Sequence, residues 1–399
     1  MLKVVIVGAG PTGATLALLL VQRGISVILI EASKNFRRIF RGEGLMPSGL
    51  DALEQMGLMD IVAKVPHRAL DRWEFVVDGR TLFQVKEPIL GSKPVLLLSQ
   101  PAFLEEVVSA AQTHDGTFEL IQGVSVRDIV RSPSGRISGV CLSDDRIIAT
   151  DLVIGADGRN SVIRQKANLS IVHQSRQFDV LWFKFRENDC LTESNTFYSV
   201  LKQHHGMGIF QSAEGHWQIG WSLMQNHPFD WKNANWLAMM QQYAPPWFSN
   251  RLQQSPENLE NPILLSVVVG RCPQWWQPGL LLLGDAAHPM SPIRAQGINM
   301  ALRDVIVATN ALVPVLQKDD PDSIDAALPT VQRDREPEII KIQQLQQIEA
   351  SQAERLLNYP PLQWLVGRSP NGMKQRLAQQ WVNRQSMLRQ GVSQIGLNV

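Results

Sequence analysis

Cysteine is scarce in this chain: Cys141, Cys190 and Cys272 are the only three in 399 residues, far apart and without a Cys-x-x-Cys pair or a nearby histidine pattern. That excludes a disulfide framework, a zinc site and a redox dithiol, and it fits a reducing cytosol. An excess of charge of one sign is also missing. With 38 Lys and Arg against 37 Asp and Glu, and a net charge of +1, there is no electrostatic footprint for nucleic acid. Apolar runs such as Gly279–Gly284 stop far short of the ~20 residues that span a bilayer, so no transmembrane segment is expected. Met1-Leu2-Lys3 leads straight into Val4–Val7, without a charged start, an apolar stretch and a cleavage site, and reads as part of the fold. Neither His-Glu-x-x-His nor a nucleophile elbow occurs, which leaves zinc and hydrolase chemistry without support. What remains, at 44% hydrophobic and 19% charged residues, is an ordinary cytoplasmic globular chain long enough for two or three domains.

Val4–Val7 is a short all-apolar strand, Gly13–Arg23 carries apolar residues at helical spacing up to Gly24, and Val27–Ile30 is a second strand. This is a βαβ unit, the start of a parallel sheet covered by helices. Further buried-strand signals follow at Leu152–Ile154 and Leu280–Leu283, each ending in a turn that contains Gly and Asp. Between them the texture changes to alternation, as in Val180–Arg186 and His216–Trp221, which predicts half-buried strands of a largely antiparallel sheet. Eight of the eleven tryptophans fall between Trp182 and Trp276. Such residues serve either as core or as the lining of a pocket for a flat apolar ligand.

The strongest local motif is Gly8-Ala9-Gly10-Pro11-Thr12-Gly13, set between a strand and a helix, with Glu31 ending the next strand. The first glycine permits a tight turn, the second lets the backbone approach a pyrophosphate, and the third lets helix pack on strand. The helix N-terminus attracts the anion, and Glu31 can accept hydrogen bonds from ribose hydroxyls. The motif predicts a dinucleotide site and leaves NAD(P) and FAD both open.

The segment Leu281-Leu282-Leu283-Gly284-Asp285-Ala286-Ala287-His288-Pro289-Met290-Ser291-Pro292, followed by Gln296-Gly297-Ile298-Asn299, narrows the choice. Together with Asp157-Gly158-Arg159-Asn160-Ser161 and the glycine motif, in that family's order, it resembles the group A flavoprotein monooxygenases, the p-hydroxybenzoate hydroxylase-like family, over residues 1 to about 315. The resemblance implies FAD as cofactor. It implies that Asp285 bonds the ribityl chain, that Gly297, Ile298 and Asn299 turn peptide N–H groups toward the flavin pyrimidine edge, and that Pro292 lies near the reactive C4a–N5 edge. Arg41, chosen over Arg37 and Arg38, would cross the pyrophosphate; Gln100 would contact the ribityl chain, Val124 the adenine, and Asp157 the FAD. His288 is expected to be a structural element of its loop. One departure stands out, because the family usually has glycine at Ala295 and often a small residue at Arg294. Arg294 either binds an anionic substrate or NAD(P)H, or is a solvated cation.

The fold expected is α/β: a Rossmann-like FAD-binding domain (1–72, 98–175 and 272–337), an inserted, mainly antiparallel β-sheet substrate domain (73–97 and 176–271), and a C-terminal helical section (338–399). The function the resemblance implies is an FAD-dependent monooxygenase that uses NAD(P)H, as a transient co-substrate, and O2 to hydroxylate or epoxidise an aromatic or polycyclic small molecule through a C4a-hydroperoxyflavin. Pocket candidates are Trp182, Phe183, Tyr198, Phe210, Trp217 and Trp221; no catalytic side chain and no metal ligand is assigned. A dehydrogenase or reductase of the same fold, or a non-catalytic flavin-containing module, are the alternatives. A halogenase is disfavoured because Trp217–Ser222 lacks the Trp-x-Trp-x-Ile-Pro signature. Residues 341–399 carry seven Lys or Arg, two acidic residues and twelve glutamines. Ile339, Ile342, Leu345 and Ile348 share a helical face, which suits packing on the chain's own core and leaves a homodimer or membrane-surface contact open.

Overall fold

The computed structural model describes residues 2–36, 43–173, 178–187, 191–224, 230–318 and 320–399. A six-stranded sheet is built in the order Trp276–Gln277, Leu280–Leu282, Leu152–Gly155, Lys3–Val7, Ser26–Glu31, Phe118–Gln122, parallel throughout except for the first of these strands. Its central strands are apolar at every position because both faces are covered. Val4, Ile6, Val27, Leu29, Leu152 and Ile154 point into one core, against helices Pro11–Val21, Gln100–Gln112 and Gln296–Leu316. Val5, Val7, Ile28, Ile30 and Val153 point into the other, against the small sheet Val126–Ala149 and Ile339 and Ile342 of helix Pro321–Asn358.

The second sheet has seven strands, in the order Ile263–Leu265, Phe178–Phe185, Trp217–Met224, His205–Gln211, Thr196–Lys202, Arg72–Val77, Arg80–Lys86. All pairs are antiparallel except Thr196–Lys202 with Arg72–Val77. Period-two alternation gives this sheet two different faces. Leu181, Phe183, Phe185, Trp217, Ile219 and Trp221 form a core with helices Trp236–Tyr243 and Pro246–Gln254. Trp182, Phe197 and Phe210 occupy the opposite face.

After helix Pro321–Asn358 the chain continues as helices Pro360–Gly367 and Asn371–Gln390, with breaks at Tyr359 and at Arg368–Pro370. Ile339 and Ile342 are buried as their spacing requires, but Ile348 is 49% exposed. Gln343 and Gln346 are buried in its place, because their amides have backbone carbonyls to bond. Among the described residues, Ile293–Leu316 is the one stretch long and apolar enough to cross a membrane, and most of it is buried inside this fold.

Candidate functional site

The glycine turn has the sterics its motif demands. Gly8 has φ +100, and a Cβ there would lie 2.5 Å from the Ala156 carbonyl oxygen. A Cβ on Gly13 would fall inside the Gly8 carbonyl, so the third glycine is what lets the helix sit on the strand. A Cβ on Gly10 would meet nothing, which puts the second glycine on the open side of the turn, with the free N-terminus of helix Pro11–Val21 directly behind it. Pro11 begins that helix, and buried Thr12 packs against the Gly284 turn, where a Cβ would come within 2.5 Å of Thr12 Oγ1. Glu31, buried at the end of its strand, accepts from Ala9 N at 2.9 Å and from Ser33 N at 2.7 Å. Gly123 N and Val124 N both donate to the Glu31 carbonyl, which brings Val124 alongside the same strand end.

The other two motifs meet this turn at the carboxyl ends of the parallel strands. Asp157 Oδ2 accepts from Val162 N at 2.7 Å and Ile163 N at 3.1 Å, capping the helix Val162–Lys166, while its Oδ1 is buried without a hydrogen-bond partner. Burial raises the Asp157 carboxyl above the ordinary range, against the hydrogen bonds from Ser161 and the helix peptides. Asp285 lies half-buried in the turn Gly284–Ala286, 3.6 Å from where a Gly297 Cβ would stand, and among the described residues its carboxylate has no hydrogen-bond partner in the protein. Gln100 opens the helix Gln100–Gln112. Arg37, Arg38 and Arg41 lie outside the described residues.

Helix Gln296–Leu316 begins without a side-chain cap, so the N–H groups of Gly297 and Ile298 in its first turn are free of intrahelical partners. The Asn299 side chain is used elsewhere: it accepts from Met46 N at 2.8 Å and donates to Gly44 O at 3.2 Å and Ala295 O at 2.7 Å. It therefore ties the helix start to the short strand Gly44–Leu45. Pro292 lies exposed at the head of the preceding turn, and its carbonyl accepts from Ala295 N at 3.1 Å. Arg294 and Ala295, where glycine would be easy, both take left-handed backbone angles, φ +58 and +49. The turn is held from behind by buried glutamines. Gln346 donates to Ser291 O and Ile293 O, Gln343 to Gly270 O and Pro289 O, and Gln296 to Arg294 O and Leu388 O.

Neither reading of Arg294 given above survives. Its side chain is 10% exposed and ion-paired to Glu349 at 2.9 Å, with the guanidinium 4.8 Å from the Trp73 ring and 4.8 Å from the Trp381 ring. An arginine already neutralised and sandwiched is neither a solvated cation nor a free anion receptor. Trp381 comes from the C-terminal helix, which Arg389 clamps to Glu87 with two hydrogen bonds of 2.6 and 2.7 Å.

His288 is structural, as expected. Its Nε2 lies 2.7 Å from Asp304 Oδ2, which also accepts from Gly284 N at 3.0 Å, while Arg335 Nε reaches Asp304 Oδ1 at 2.8 Å. Arg335 and Arg303 share Glu338. Burial alone would raise Asp304 and Glu338, but His288 and Arg335 beside the former, and Arg335 and Arg303 beside the latter, hold both carboxyls below the ordinary range. This network braces the turn that carries Asp285.

Of the six aromatic pocket candidates, four are corrected. Phe183, Trp217 and Trp221 belong to the core under helices Trp236–Tyr243 and Pro246–Gln254, and Tyr198 packs on Trp247 on that same face, because odd and even positions of a strand point to opposite sides. Trp182 and Phe210 are on the other face, 6.0 Å apart, and Phe210 stacks on Phe197 at 5.5 Å. Phe197 leads on to Trp73 at 4.9 Å and so to Arg294. The cross-strand glycines Gly208 and Gly220 leave room for the Phe197 and Trp182 rings to lie over the sheet. Phe197, Trp73 and Trp381 were legible only as strand or helix residues; the Gly208 and Gly220 pair was the available signal.

An open second glycine, an unpartnered carboxylate facing a bare helix start, and an orphaned Asp157 oxygen leave space and unsatisfied polar groups for a bound dinucleotide. The whole of 1–337 matches the family model described as "FAD binding domain". The chain belongs to the group A FAD-dependent monooxygenase family. Among relatives of this flavoprotein, 6-methylpretetramide 4-monooxygenase from Streptomyces rimosus is 30% identical over 327 residues, covering 79% of this chain and 76% of the relative. The 3-demethoxyubiquinol 3-hydroxylase of Escherichia coli K12 is 27% identical over 335 residues, 79% of each chain. The crystal structure of pqsL, a probable FAD-dependent monooxygenase from Pseudomonas aeruginosa, superposes with a TM-score of 0.75 at 21% identity, covering 92% of this chain and all of that one, and shares the fold.

Proposed function

We propose that this flavoprotein hydroxylates or epoxidises an aromatic or polycyclic small molecule with O2, using NAD(P)H as a transient reductant. The observation that carries the reading is the meeting of two surfaces: the turn Pro292–Gln296 at the start of the flavin helix abuts, through Arg294, the aromatic row Trp73, Phe197, Phe210 and Trp182. The proposed division of labour follows the two sheets. The parallel unit holds FAD through Gly8, Gly10, Pro11, Thr12, Gly13, Glu31, Gln100, Val124, Asp157, Asp285, Gly297, Ile298 and Asn299, with Pro292 at its reactive edge; the seven-stranded sheet carries the substrate.

Bound FAD supplies the redox chemistry, accepting a hydride from the nicotinamide and activating O2. The chain's own work is positional and electrostatic. The bare start of helix Gln296–Leu316 turns positive dipole and N–H groups toward negative charge without a cationic side chain, because Arg294 is spent on Glu349. Trp182 and Phe210 offer a flat apolar face that excludes water from the reacting ring. The similarity to 6-methylpretetramide 4-monooxygenase supports a polycyclic substrate.

The decisive experiment is oxygen-isotope tracing with purified protein, NADH or NADPH, and a set of fused-ring phenols. Incorporation of one atom of 18O from labelled O2 into product supports oxygenation. Reduction of the flavin and of an added acceptor, with no label in any product, would assign the chain to the reductases of the same fold.

A further inference from the structure

Glu43 stands directly before the strand Gly44–Leu45, whose place is set from the cofactor side. A Cβ on Gly44 would lie 3.1 Å from the Ala295 methyl group, and Asn299 bonds both Gly44 O and Met46 N. The Glu43 carbonyl accepts from Leu98 N at 2.9 Å. Its carboxyl is near enough to Lys184 of the second sheet, and to Glu214 of the hairpin between strands His205–Gln211 and Trp217–Met224, for both charges to act on it. Oε2 is sealed from solvent and has no hydrogen-bond partner.

The surroundings are polar at one end of the aromatic face. Lys184 pairs across strands with Gln218, and Trp182, two residues along on the same face, donates to Gln218 Oε1 at 2.7 Å. Phe210 pairs with Gln218 from the other side. His216, also on this face, bonds the Glu187 backbone, and its Nδ1 is a second buried atom without a partner. Glu214 accepts from Ser99 Oγ at 2.7 Å, next to Gln100. Burial first, then Glu214, push the Glu43 carboxyl up to about 8, against Lys184. Burial, then Lys184, lower His216, with Arg186 adding to the effect and Glu214 opposing it, so the imidazole stays neutral.

A buried polar atom left without a partner costs about 1–3 kcal/mol, and here two of them flank the face on which the substrate is placed. We propose that Glu43 is the acid–base residue of the substrate site, exchanging one proton between Oε2 and a hydroxyl on the substrate ring, with Lys184 and His216 lining the same polar end. The inference rests on the monooxygenase reading and adds to it that the substrate carries an ionisable ring hydroxyl. In the forward step Glu43 enters as the carboxylate: the substrate O–H bond breaks, an O–H bond forms on Glu43 Oε2, and the electron pair stays on the phenolate oxygen, where it enriches the ring for attack by an electrophilic oxygen. No oxidant or reductant is consumed, and Lys184 offsets the anion that the proton leaves behind.

The test uses holoenzyme carrying FAD, with alizarin as a fused-ring phenol whose colour reports its ionisation. Infrared difference spectra should show a protonated carboxyl that titrates near pH 8 and vanishes in Glu43→Gln, with the midpoint falling in Glu214→Gln and rising in Lys184→Met. On rapid mixing, the phenolate colour of bound alizarin should develop fast in wild type and more slowly in Glu43→Gln at the same pH. A band absent from wild type, or a midpoint in the ordinary carboxylate range, overturns the proposal. So does a Glu43→Gln holoenzyme in which the phenolate colour develops at the wild-type rate. These readouts do not depend on turnover. Failure of 18O incorporation in wild type would strike the monooxygenase reading alone.

Discussion

Replacing Arg294 by Met removes the guanidinium from between Trp73 and Trp381 while keeping similar bulk at the same left-handed position. Glu349, 13% exposed, would keep only its hydrogen bond from Gln385 and become a largely buried, uncompensated charge. Breaking such a pair from one side costs about 3–5 kcal/mol; the residual exposure of both partners puts the expectation near the lower end, about 3 kcal/mol, with the loss of stacking on two rings included. Removing both charges, in Arg294→Met with Glu349→Met, eliminates the stranded carboxylate, and most of the loss should return. Urea titration of the four proteins in the cycle, compared at unchanged slope, reads the coupling, expected to be about 2 kcal/mol. A coupling within about 0.5 kcal/mol of zero would refute the claim that Arg294 is a neutralised strut rather than a free cation.

Gly13→Ala should fail to fold, because its Cβ collides with the Gly8 carbonyl, whereas Gly10→Ala should fold normally and lose FAD affinity, measured by flavin fluorescence on dilution. Trp217→Ala, at 3% exposure in the sheet core, should cost about 3–5 kcal/mol in urea titration, while Trp182→Ala should cost clearly less and act on substrate KM. Asp304 and Glu338 titrate below their ordinary values of 3.8 and 4.5 when folded. Their contribution is complete above those values and is lost as pH falls through the lower folded ones, so Asp304→Asn should flatten the acid limb of the stability profile below about pH 4. Denaturation midpoints collected from pH 7 down to pH 3 check this; an unchanged acid limb would count against it.

The cofactor half of the molecule was readable because its signals are local. Each glycine of Gly8–Gly13 answers a steric need within a few residues, and a continuous apolar run such as Val4–Val7 already states that both its faces are covered. The aromatic half was readable only as a pair of faces. Alternation along Val180–Arg186 and His216–Trp221 separates Trp182 from Phe183, and Gln218 from Trp217, but it does not say which set is covered by helices. The choice was made by helices Trp236–Tyr243 and Pro246–Gln254, which cover the Trp217 and Trp221 side.

The sequence by itself determined a parallel sheet with a dinucleotide turn, a Gly284-Asp285 turn leading toward a helix, and an alternating second sheet, since these follow from neighbours along the chain. Only the tertiary structure decided that Arg294 is clasped by Glu349, Trp73 and Trp381, that buried glutamines of helix Pro321–Asn358 hold the Ser291–Ile293 backbone, and that Glu43 faces Lys184 and Glu214. Those partners lie far apart in the chain, and a side chain's charge state and solvent access are properties of what is packed around it.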